Sequence, residues 1–337
     1  MLVENQSQKN KTIINIENII FPSLSKNIRA SLQRVDREYL KKIEEVRIRE
    51  NRPLMITLNN KDYMLTKNGK IATSLKDAYI VSREDTVNIL QLISDYSLYA
   101  IEEELRNGFI TLKGGHRVGL TGKAVLENGK VKTLKYISGF NFRISREVKG
   151  VADSIISHVM DSKGEIYHTL IISPPQCGKT TLLRDLIRQI SNGNEKEGLR
   201  GHKVGIVDER SELAGCYKGV PQNDIGIRTD VLDACPKAQG MIMLIRSMSP
   251  HIIATDEIGS KEDMEAIEEA LNAGIKIITT VHGSNIDEII RKPVLKDLIQ
   301  KKIFKRMIVL SNRKGAGTIE EIIDGTTLKK ISFKNIR

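Results

Sequence analysis

Tryptophan is absent from the 337-residue chain, and aromatic residues make up only 4% of it. Because base stacking on aromatic side chains holds single strands, this shortage disfavours a single-strand nucleic-acid channel. Cysteine is scarce too, since Cys177, Cys216 and Cys235 are the 3 present and lie far apart. This spacing excludes a disulfide framework or a zinc ribbon and predicts reduced, structural thiols.

Long apolar runs are also missing. Met241–Ile245 is among the longest, and a membrane-spanning helix needs roughly 20 apolar residues. The stretch from Glu4 to Lys11 is polar and lacks the apolar region of a signal peptide. We therefore expect a cytoplasmic protein that does not cross a bilayer.

The chain does have a globular composition and a surplus of positive charge. Hydrophobic residues make up 40% and charged residues 28%, and the length predicts about two domains. The net charge is +11, and residues 1–150 hold 26 basic and 17 acidic side chains against 27 and 25 in residues 151–337. The most basic stretch, Arg106–Lys149, could meet nucleic acid, an anionic lipid surface or a nucleotide phosphate.

The first part of the chain predicts a loose lead-in over residues 1–25 and an α+β domain over residues 26–148. Apolar residues at helical spacing predict an amphipathic helix over Lys26–Ile43. Alternating apolar residues predict short antiparallel strands at Val46–Arg49 and Leu54–Leu58.

A second helix and a hairpin complete this domain. Ser82 and Asp85 have the spacing of a capping box, which predicts a helix that extends to Leu98. A strand at Phe109–Leu112 precedes two alternating segments joined by Asn128-Gly129, the turn typical of a β-hairpin.

Residues 149–337 predict an α/β domain with an open, doubly wound and mainly parallel sheet. Short β-branched runs alternate with helical segments, as expected when helices cover both faces of a sheet. The runs are Thr169–Ile172, Val204–Val207, Ile252–Thr255 and Ile275–Thr280. Further runs predict edge strands at Met307–Leu310, Ile319–Ile323 and Leu328–Phe333.

A phosphate-binding loop follows the first of these strands and opens a helix. Backbone N–H groups at the helix start point at a triphosphate, Lys179 neutralises its β and γ oxygens, and the Thr180 hydroxyl ligates Mg²⁺. Ser173 stands where the usual pattern has glycine, and we expect a reshaped or weaker loop. The residues predicted to contact ATP here are Pro174, Pro175, Gln176, Cys177, Gly178, Lys179, Thr180 and Thr181.

Two carboxylates end the strand at Ile252–Thr255. In a nucleotide hydrolase the first, Asp256, holds the Mg²⁺ shell and the second, Glu257, polarises the attacking water. The pair therefore predicts hydrolysis rather than transfer to a metabolite.

Two neighbouring strand ends also carry polar residues. The run at Val204–Val207 ends in an acidic segment, in which Glu209 or Glu212 could share water activation. The run from Ile275 ends near Thr280 and His282, either of which could sense the γ-phosphate. Because ligands of open parallel sheets bind at the carboxyl ends of the strands, we expect these clusters to converge on one crevice.

An arginine that reaches the γ-phosphate of a neighbouring subunit would stabilise the charge that develops during transfer. The candidates are Arg117, Arg143, Arg146, Arg228 and Arg246. Arg143 and Arg146 are favoured because they lie just before the nucleotide domain.

Several stretches resemble the secretion ATPase superfamily, which serves type II and type IV secretion, and within it the branch that acts in sporulation stage III. They include Arg47–Leu54, Ser94–Ala100, Gly114–Leu120, Pro174–Thr181, Arg228–Asp233, Cys235–Lys237, Arg246–Pro250 and Asp256–Gly259. The resemblance implies that Asp208–Glu212 is the acidic box and Gly274–Gly283 the histidine segment. Ser260 stands where members commonly have arginine.

The resemblance further implies a RecA-like P-loop domain with ATP and Mg²⁺ as cofactors, assembled as a hexameric ring. It implies a place at the inner face of the mother-cell membrane, where the ATPase powers a secretion-like channel to the forespore with other stage III proteins. Two alternatives remain open from the residues: a nucleic-acid-dependent ATPase and a nucleotide-binding scaffold with little hydrolysis.

Overall fold

The computed structural model describes residues 16–333, except for the side chain of Lys196. The described chain divides between Arg146 and Glu147 into two units, each with its own core. None of the helices within residues 16–333 is long and apolar enough to span a membrane.

The first unit is an antiparallel sheet of six strands in the order β3-β2-β1-β6-β5-β4. Its strands are β1 Ile43–Arg49, β2 Met55–Leu58, β3 Lys61–Met64, β4 Phe109–Leu112, β5 His116–Glu127 and β6 Lys130–Arg143. Its helices are α1 Lys26–Gln33, α2 Arg37–Leu40, α3 Arg83–Ile93 and α4 Glu102–Asn107. One core joins the sheet to the helices, and Phe142, Ile48 and Ile28 are fully buried in it.

The single helix predicted over Lys26–Ile43 is two helices and the start of a strand. The first helix ends at Gln33, with Arg34 as its C-cap. Asp36 begins the second, because its carboxylate accepts the Glu38 N–H at 2.7 Å and caps α2. Ile43 belongs to β1. The apolar spacing was compatible with one helix, but an N-cap residue competes with continued helical hydrogen bonding.

The described part of the predicted lead-in packs into the core rather than lying loose. Ile16–Ile20 and Phe21–Ser23 form helical turns, and Ile16, Ile20 and Phe21 are buried. Residues 1–15 lie outside the described residues. The capping box at Ser82 is confirmed, but α3 ends at Ile93 and Leu98 lies in a separate short 3-10 turn.

The second unit is built on an eight-stranded sheet in the order β14-β13-β12-β7-β11-β10-β8-β9. Its strands are β7 Thr169–Ser173, β8 Val204–Asp208, β9 Thr229–Asp233, β10 Ile252–Thr255, β11 Lys276–His282, β12 Arg306–Ser311, β13 Thr318–Asp324 and β14 Lys330–Ile331. Its helices are α5 Lys179–Asn192, α6 Lys237–Ser247, α7 Lys261–Asn272, α8 Ile286–Ile290 and α9 Pro293–Gln300.

The six strands β12, β7, β11, β10, β8 and β9 are parallel, as the continuous apolar runs of β7, β8, β10 and β11 predict. Within this described sheet β13 runs in the opposite direction, and it pairs antiparallel with both β12 and β14. The predictions that Met307–Leu310 and Ile319–Ile323 form edge strands are wrong, because β12 lies between β7 and β13 and β13 lies between β12 and β14. The third predicted edge strand is confirmed, since β14 ends the sheet. Successive β7 residues serve opposite faces, with Ile171 in one core cluster and Leu170 and Ile172 in the other. Helices therefore cover both faces, and the polar strand ends meet at one edge.

Candidate functional site

The phosphate-binding loop connects β7 to α5. Gly178 is the N-cap residue of α5, with φ at +83° and no side chain to cap the helix. The N–H groups of the first helical turn therefore have no capping side chain from this position, which suits the binding of an anion. This uncapped start, with Lys179 as its first residue, fits a nucleotide phosphate.

Ser173 needs no unusual backbone in this loop. It is the buried last residue of β7, it pairs with His282 of β11, and its hydroxyl donates to the Pro174 carbonyl at 2.9 Å. The left-handed torsions fall instead on Gln176, at +60°, and on Gly178. Serine is therefore accommodated as an ordinary strand residue.

Lys179 and Thr180 lie against the two carboxylates that follow β10. The Lys179 ammonium is 2.5 Å from Glu257 Oε1 and 3.8 Å from Asp256 Oδ2. The Thr180 hydroxyl donates to Asp256 Oδ2 at 2.9 Å. These four side chains, predicted to surround the Mg²⁺-triphosphate and the attacking water, therefore lie together at the same edge of the sheet.

Thr280 of β11 holds the turn that carries these carboxylates. Its buried hydroxyl donates to Asp256 Oδ1 and accepts the Glu257 N–H at 3.0 Å. Its carbonyl accepts the Ile258 N–H at 3.1 Å. Glu257 has a φ of +50°, which a non-glycine residue adopts only when its surroundings enforce it. The hydrogen bonds from Thr280 hold the Glu257 backbone in this conformation.

Glu257 is surrounded by three basic side chains. Besides Lys179, His282 Nε2 lies 2.8 Å from Oε1 and Arg210 donates to Oε2 at 3.1 Å. Partial burial alone would raise the pKa of Glu257, but the hydrogen bond and charge of Lys179, with His282 and Arg210, lower it below its usual value. The carboxylate is therefore ionised at neutral pH.

The residues of the acidic segment after β8 make contacts with different parts of the second unit. Asp208 is buried, its oxygens accept the Glu212 and Ala214 N–H groups at 2.8 Å, and burial raises its pKa. Glu209, predicted to be catalytic, forms an ion pair with Lys237. Arg210 is the member of the segment that reaches Glu257. The sequence offers one signal for a role of Arg210, its position just after a strand that ends at the site.

The arginines predicted to act in trans have partners in the first unit. Arg143 Nε lies 3.6 Å from Glu45 Oε1, and Arg146 donates to the carbonyls of Lys41 and Ile43 at 2.8 and 2.9 Å. Burial lowers the pKa of the Arg146 guanidinium. The trans role of both residues stays a prediction.

The chain matches known proteins over most of its length. A family model described as sporulation stage III, protein AA, covers residues 14–329. Stage III sporulation protein AA of Bacillus subtilis (strain 168) is 44% identical over 307 residues, or 91% of this chain and 95% of that protein. Protein SEEDLING PLASTID DEVELOPMENT 1 of Arabidopsis thaliana is 32% identical over 52% of this chain and 24% of that protein.

Solved structures share the fold at low sequence identity. The Legionella pneumophila ATPase DotB is 17% identical with a TM-score of 0.50, over 79% of this chain and 71% of that chain. The pilus retraction motor PilT, solved with bound ADP, is 14% identical with a TM-score of 0.51, over 80% of this chain and 75% of that chain. These likenesses confirm the predicted RecA-like P-loop fold.

Proposed function

Because the chain belongs to the family described as sporulation stage III, protein AA, we propose that it is an ATP hydrolase that works in spore formation. The main support is the pair of contacts at one edge of the sheet, in which Lys179 forms an ion pair with Glu257 and Thr180 donates a hydrogen bond to Asp256. Cation, hydroxyl and paired carboxylates are the groups that P-loop hydrolysis requires.

In this proposal each side chain has a separate task. Lys179 and the first N–H groups of α5 bind the β- and γ-phosphates. Thr180 and Asp256 would hold Mg²⁺, which neutralises phosphate charge when it is bound. Glu257 accepts a hydrogen bond from the attacking water, and His282 fixes one of its oxygens.

Glu257 must leave Lys179 before its carboxylate can accept a hydrogen bond from the attacking water. In the structure its carboxylate forms an ion pair with Lys179 at 2.5 Å. A triphosphate competes for the same ammonium, since phosphate oxygens carry more negative charge than one carboxylate. Release from Lys179 leaves the carboxylate available to water.

We further propose that the protein forms a hexameric ring, in which Arg143 or Arg146 of one subunit acts on the nucleotide of the next. The support is the resemblance to secretion ATPases and the fact that Arg143 is more than half exposed. A trans arginine is typically worth about 10³ to 10⁵ in turnover.

We also propose that the ring works peripherally at the inner face of the mother-cell membrane and powers a channel to the forespore with other stage III proteins. The family description, which names sporulation stage III, supports the process. The exposed lysines of the β5–β6 hairpin, such as Lys123, Lys130 and Lys135, support contact with an anionic surface.

Phosphate release from ATP and Mg²⁺, measured across a range of protein concentrations, tests the enzymatic proposal. We expect turnover per subunit to rise as rings assemble, and Lys179→Ala to abolish turnover. ATP binding by the wild type without any phosphate release would favour the scaffold alternative. Turnover that stays flat in a protein that remains monomeric would contradict the ring.

A further inference from the structure

The outer part of the β5–β6 hairpin, residues 121–138, has no other strand of its sheet beside it. Among the described strands, β4 pairs with β5 only through residues 116–119, and β1 pairs with β6 only through residues 139–143. From Lys123 to Lys135 the two strands pair with each other alone. None of residues 121–138 is buried. Because a two-stranded hairpin without a core is marginally stable in water, a partner that covers this outer hairpin would stabilise it.

The outer hairpin has one apolar face. Residues two apart on a strand share a face, and so do cross-strand partners. Ala124 and Leu134 form one pair on this face, and Leu134 packs against the core of the first unit. Leu126 and Val131 form the next pair, nearer the turn, and are 63% and 41% exposed. The apolar face therefore ends in two branched side chains that solvent reaches.

The opposite face of the outer hairpin is basic. Lys123 and Lys135 are cross-strand partners there, and like charges directly opposite each other destabilise a strand pair. Lys130 lies on the same face as the partner of Glu127. The Glu127 carboxylate binds Lys132 instead, at 2.6 Å. Within residues 16–333 the other three lysines have no carboxylate partner, so this face favours an anionic surface.

The turn of the hairpin holds the two faces in place. Asn128 and Gly129 have φ values of +52° and +76°, which are the left-handed torsions of a two-residue type I′ turn. Such a turn fixes the register of the strands. The arrangement of apolar and basic side chains is therefore formed before any partner binds, which reduces the entropy cost of binding.

The spacing of these side chains along the hairpin fits a lipid surface. Lys123 lies three residues, or about 10 Å, behind Leu126 on the same strand. That distance is comparable with the depth of the headgroup layer, which is roughly 5–7 Å on each side of a bilayer. Tyr136, next to Lys135, is 77% exposed, and tyrosine is enriched at the membrane–water interface. An apolar tip can thus reach the acyl chains while the lysines lie among the headgroups.

Nucleic acid fits the same residues less well. The Leu126 and Val131 side chains offer no hydrogen bond to a phosphate or a base edge. Residues 121–138 hold no arginine, the side chain that basic arms typically insert into a minor groove. The apolar tip therefore favours lipid over nucleic acid as the anionic partner.

We propose that the outer hairpin docks on a bilayer that contains acidic lipids. Leu126 and Val131 enter the boundary between headgroups and acyl chains, and Lys123, Lys130 and Lys135 bind the acidic headgroups. The inference rests on the proposed peripheral place at the membrane. It assigns that contact to an element of this chain rather than to a partner protein.

The absence of tryptophan makes the tip observable by fluorescence. Leu126→Trp places a single tryptophan at the tip, and Leu75→Trp places one at another leucine of the first unit, which is 60% exposed. The full chain is mixed with vesicles of phosphatidylglycerol and phosphatidylcholine in equal parts, or of phosphatidylcholine alone. We expect Leu126→Trp emission to shift to shorter wavelength with the acidic vesicles only, and Leu75→Trp emission to stay unchanged. An unshifted Leu126→Trp spectrum would overturn insertion of the tip.

Flotation with the same vesicles tests the two faces separately. Lys123→Gln/Lys135→Gln removes the opposed pair, and Lys70→Gln/Lys76→Gln removes the same charge from exposed positions of the same unit. We expect the hairpin variant to weaken binding about tenfold or more and the control variant by less than about twofold. Leu126→Ser should weaken binding about tenfold, because its apolar contact is lost. Urea unfolding shows that each variant is folded.

Equal losses in the two lysine variants would overturn the proposal, because net charge alone would then explain binding. So would wild-type binding that is equal for acidic and neutral vesicles, or retention on duplex DNA without flotation at about 0.1 M salt. Phosphate release by the wild type without vesicles separates this inference from the enzymatic proposal. Release without flotation would remove the docking surface alone, whereas flotation without release would remove the hydrolase alone.

Discussion

At the residue scale, hydrogen bonds and ion pairs position the functional side chains. Glu257 occupies a left-handed backbone conformation and still directs its carboxylate to Lys179, His282 and Arg210. Thr280 spans the turn through its hydroxyl and its carbonyl. Strain at such a position persists because the surroundings enforce it.

Removing the Thr280 hydroxyl tests this positioning role. Thr280→Val keeps the shape but loses the bond to Asp256 and leaves the Glu257 N–H without its acceptor. We expect kcat for ATP to fall about 10- to 100-fold, since bonds to charged groups contribute about 1.5–3 kcal/mol, with little change in KM. Thr280→Ser should restore most of the activity. Equal kcat values for the valine variant and the wild type would contradict the role.

The sequence predicts best those site residues that belong to a short local motif. The run from Pro174 to Thr181 and the pair Asp256-Glu257 could be placed together because strand ends of a parallel sheet share an edge. The partners of Glu209 and Arg210 could not be predicted, because both depend on where side chains from distant elements point. Ser173 was expected to reshape the loop, yet the structure accommodates it as a strand residue.

At the element scale, the junction of the phosphate-binding loop with the β12–β13 loop constrains α5. The Gly178 backbone is left-handed and packs against Gly317. Arg184 on the same helix donates to the carbonyls of Glu212 and Leu213 at 2.5 and 2.6 Å. Two loops from distant parts of the sequence are therefore fixed to one helix.

Substitution of Gly178 separates backbone strain from crowding. In Gly178→Ala the new side chain has a left-handed backbone and also crowds the backbone atoms of Gly317. In Gly274→Ala the backbone is left-handed too, but the new side chain has open space around it. We expect the free energy of unfolding to fall by about 1–2 kcal/mol for Gly274→Ala, from torsion alone. For Gly178→Ala we expect roughly 1–3 kcal/mol more, from overpacking. Urea unfolding measures both, and equal losses would show that the Gly317 contact imposes no constraint.

The elements themselves were predicted best where one pattern dominated. The buried strands β7, β8, β10 and β11 read as continuous apolar runs, and the Asn128-Gly129 hairpin was predicted from its turn residues. The position of β12 inside the sheet could not be read from its sequence, because an apolar run does not state which strands lie beside it. The break at Asp36 likewise could not be predicted from the apolar spacing, because a side-chain cap is a local hydrogen bond that leaves the apolar pattern unchanged.

At the scale of the whole molecule, each unit contains a histidine, buried in the first unit and partly buried in the second, whose surroundings favour the neutral imidazole. In the first unit His116 accepts the Ser145 N–H at 3.1 Å through Nδ1, and burial lowers its pKa from 6.5 to about 4. In the second unit His168 accepts the Ile277 N–H at 3.1 Å, and burial, with Lys276 and Lys305, lowers its pKa to about 4. Both stay neutral in the folded protein at physiological pH.

This arrangement predicts loss of stability in mild acid. Because the folded pKa values lie below the unfolded ones, the stabilisation is fully present above about pH 6.5 and is lost as the pH falls towards 4. The loss approaches about 3 kcal/mol for His116 and is smaller for His168, because solvent screens this more exposed group. His116→Asn keeps an acceptor near Nδ1 and should flatten the pH dependence of urea unfolding in the first unit. An unaltered slope would show that His116 does not contribute.

In the proposed mechanism, Lys179, Thr180, Asp256 and Glu257 surround a single Mg²⁺-triphosphate, and Glu257 acts on water. The decisive variant is Glu257→Gln, with ATP affinity and single-turnover cleavage measured on the same sample. We expect ATP affinity equal to or above that of the wild type, because Lys179 loses a competing anion, and cleavage reduced about 10²-fold or more. Cleavage at the wild-type rate in Glu257→Gln would rule this mechanism out.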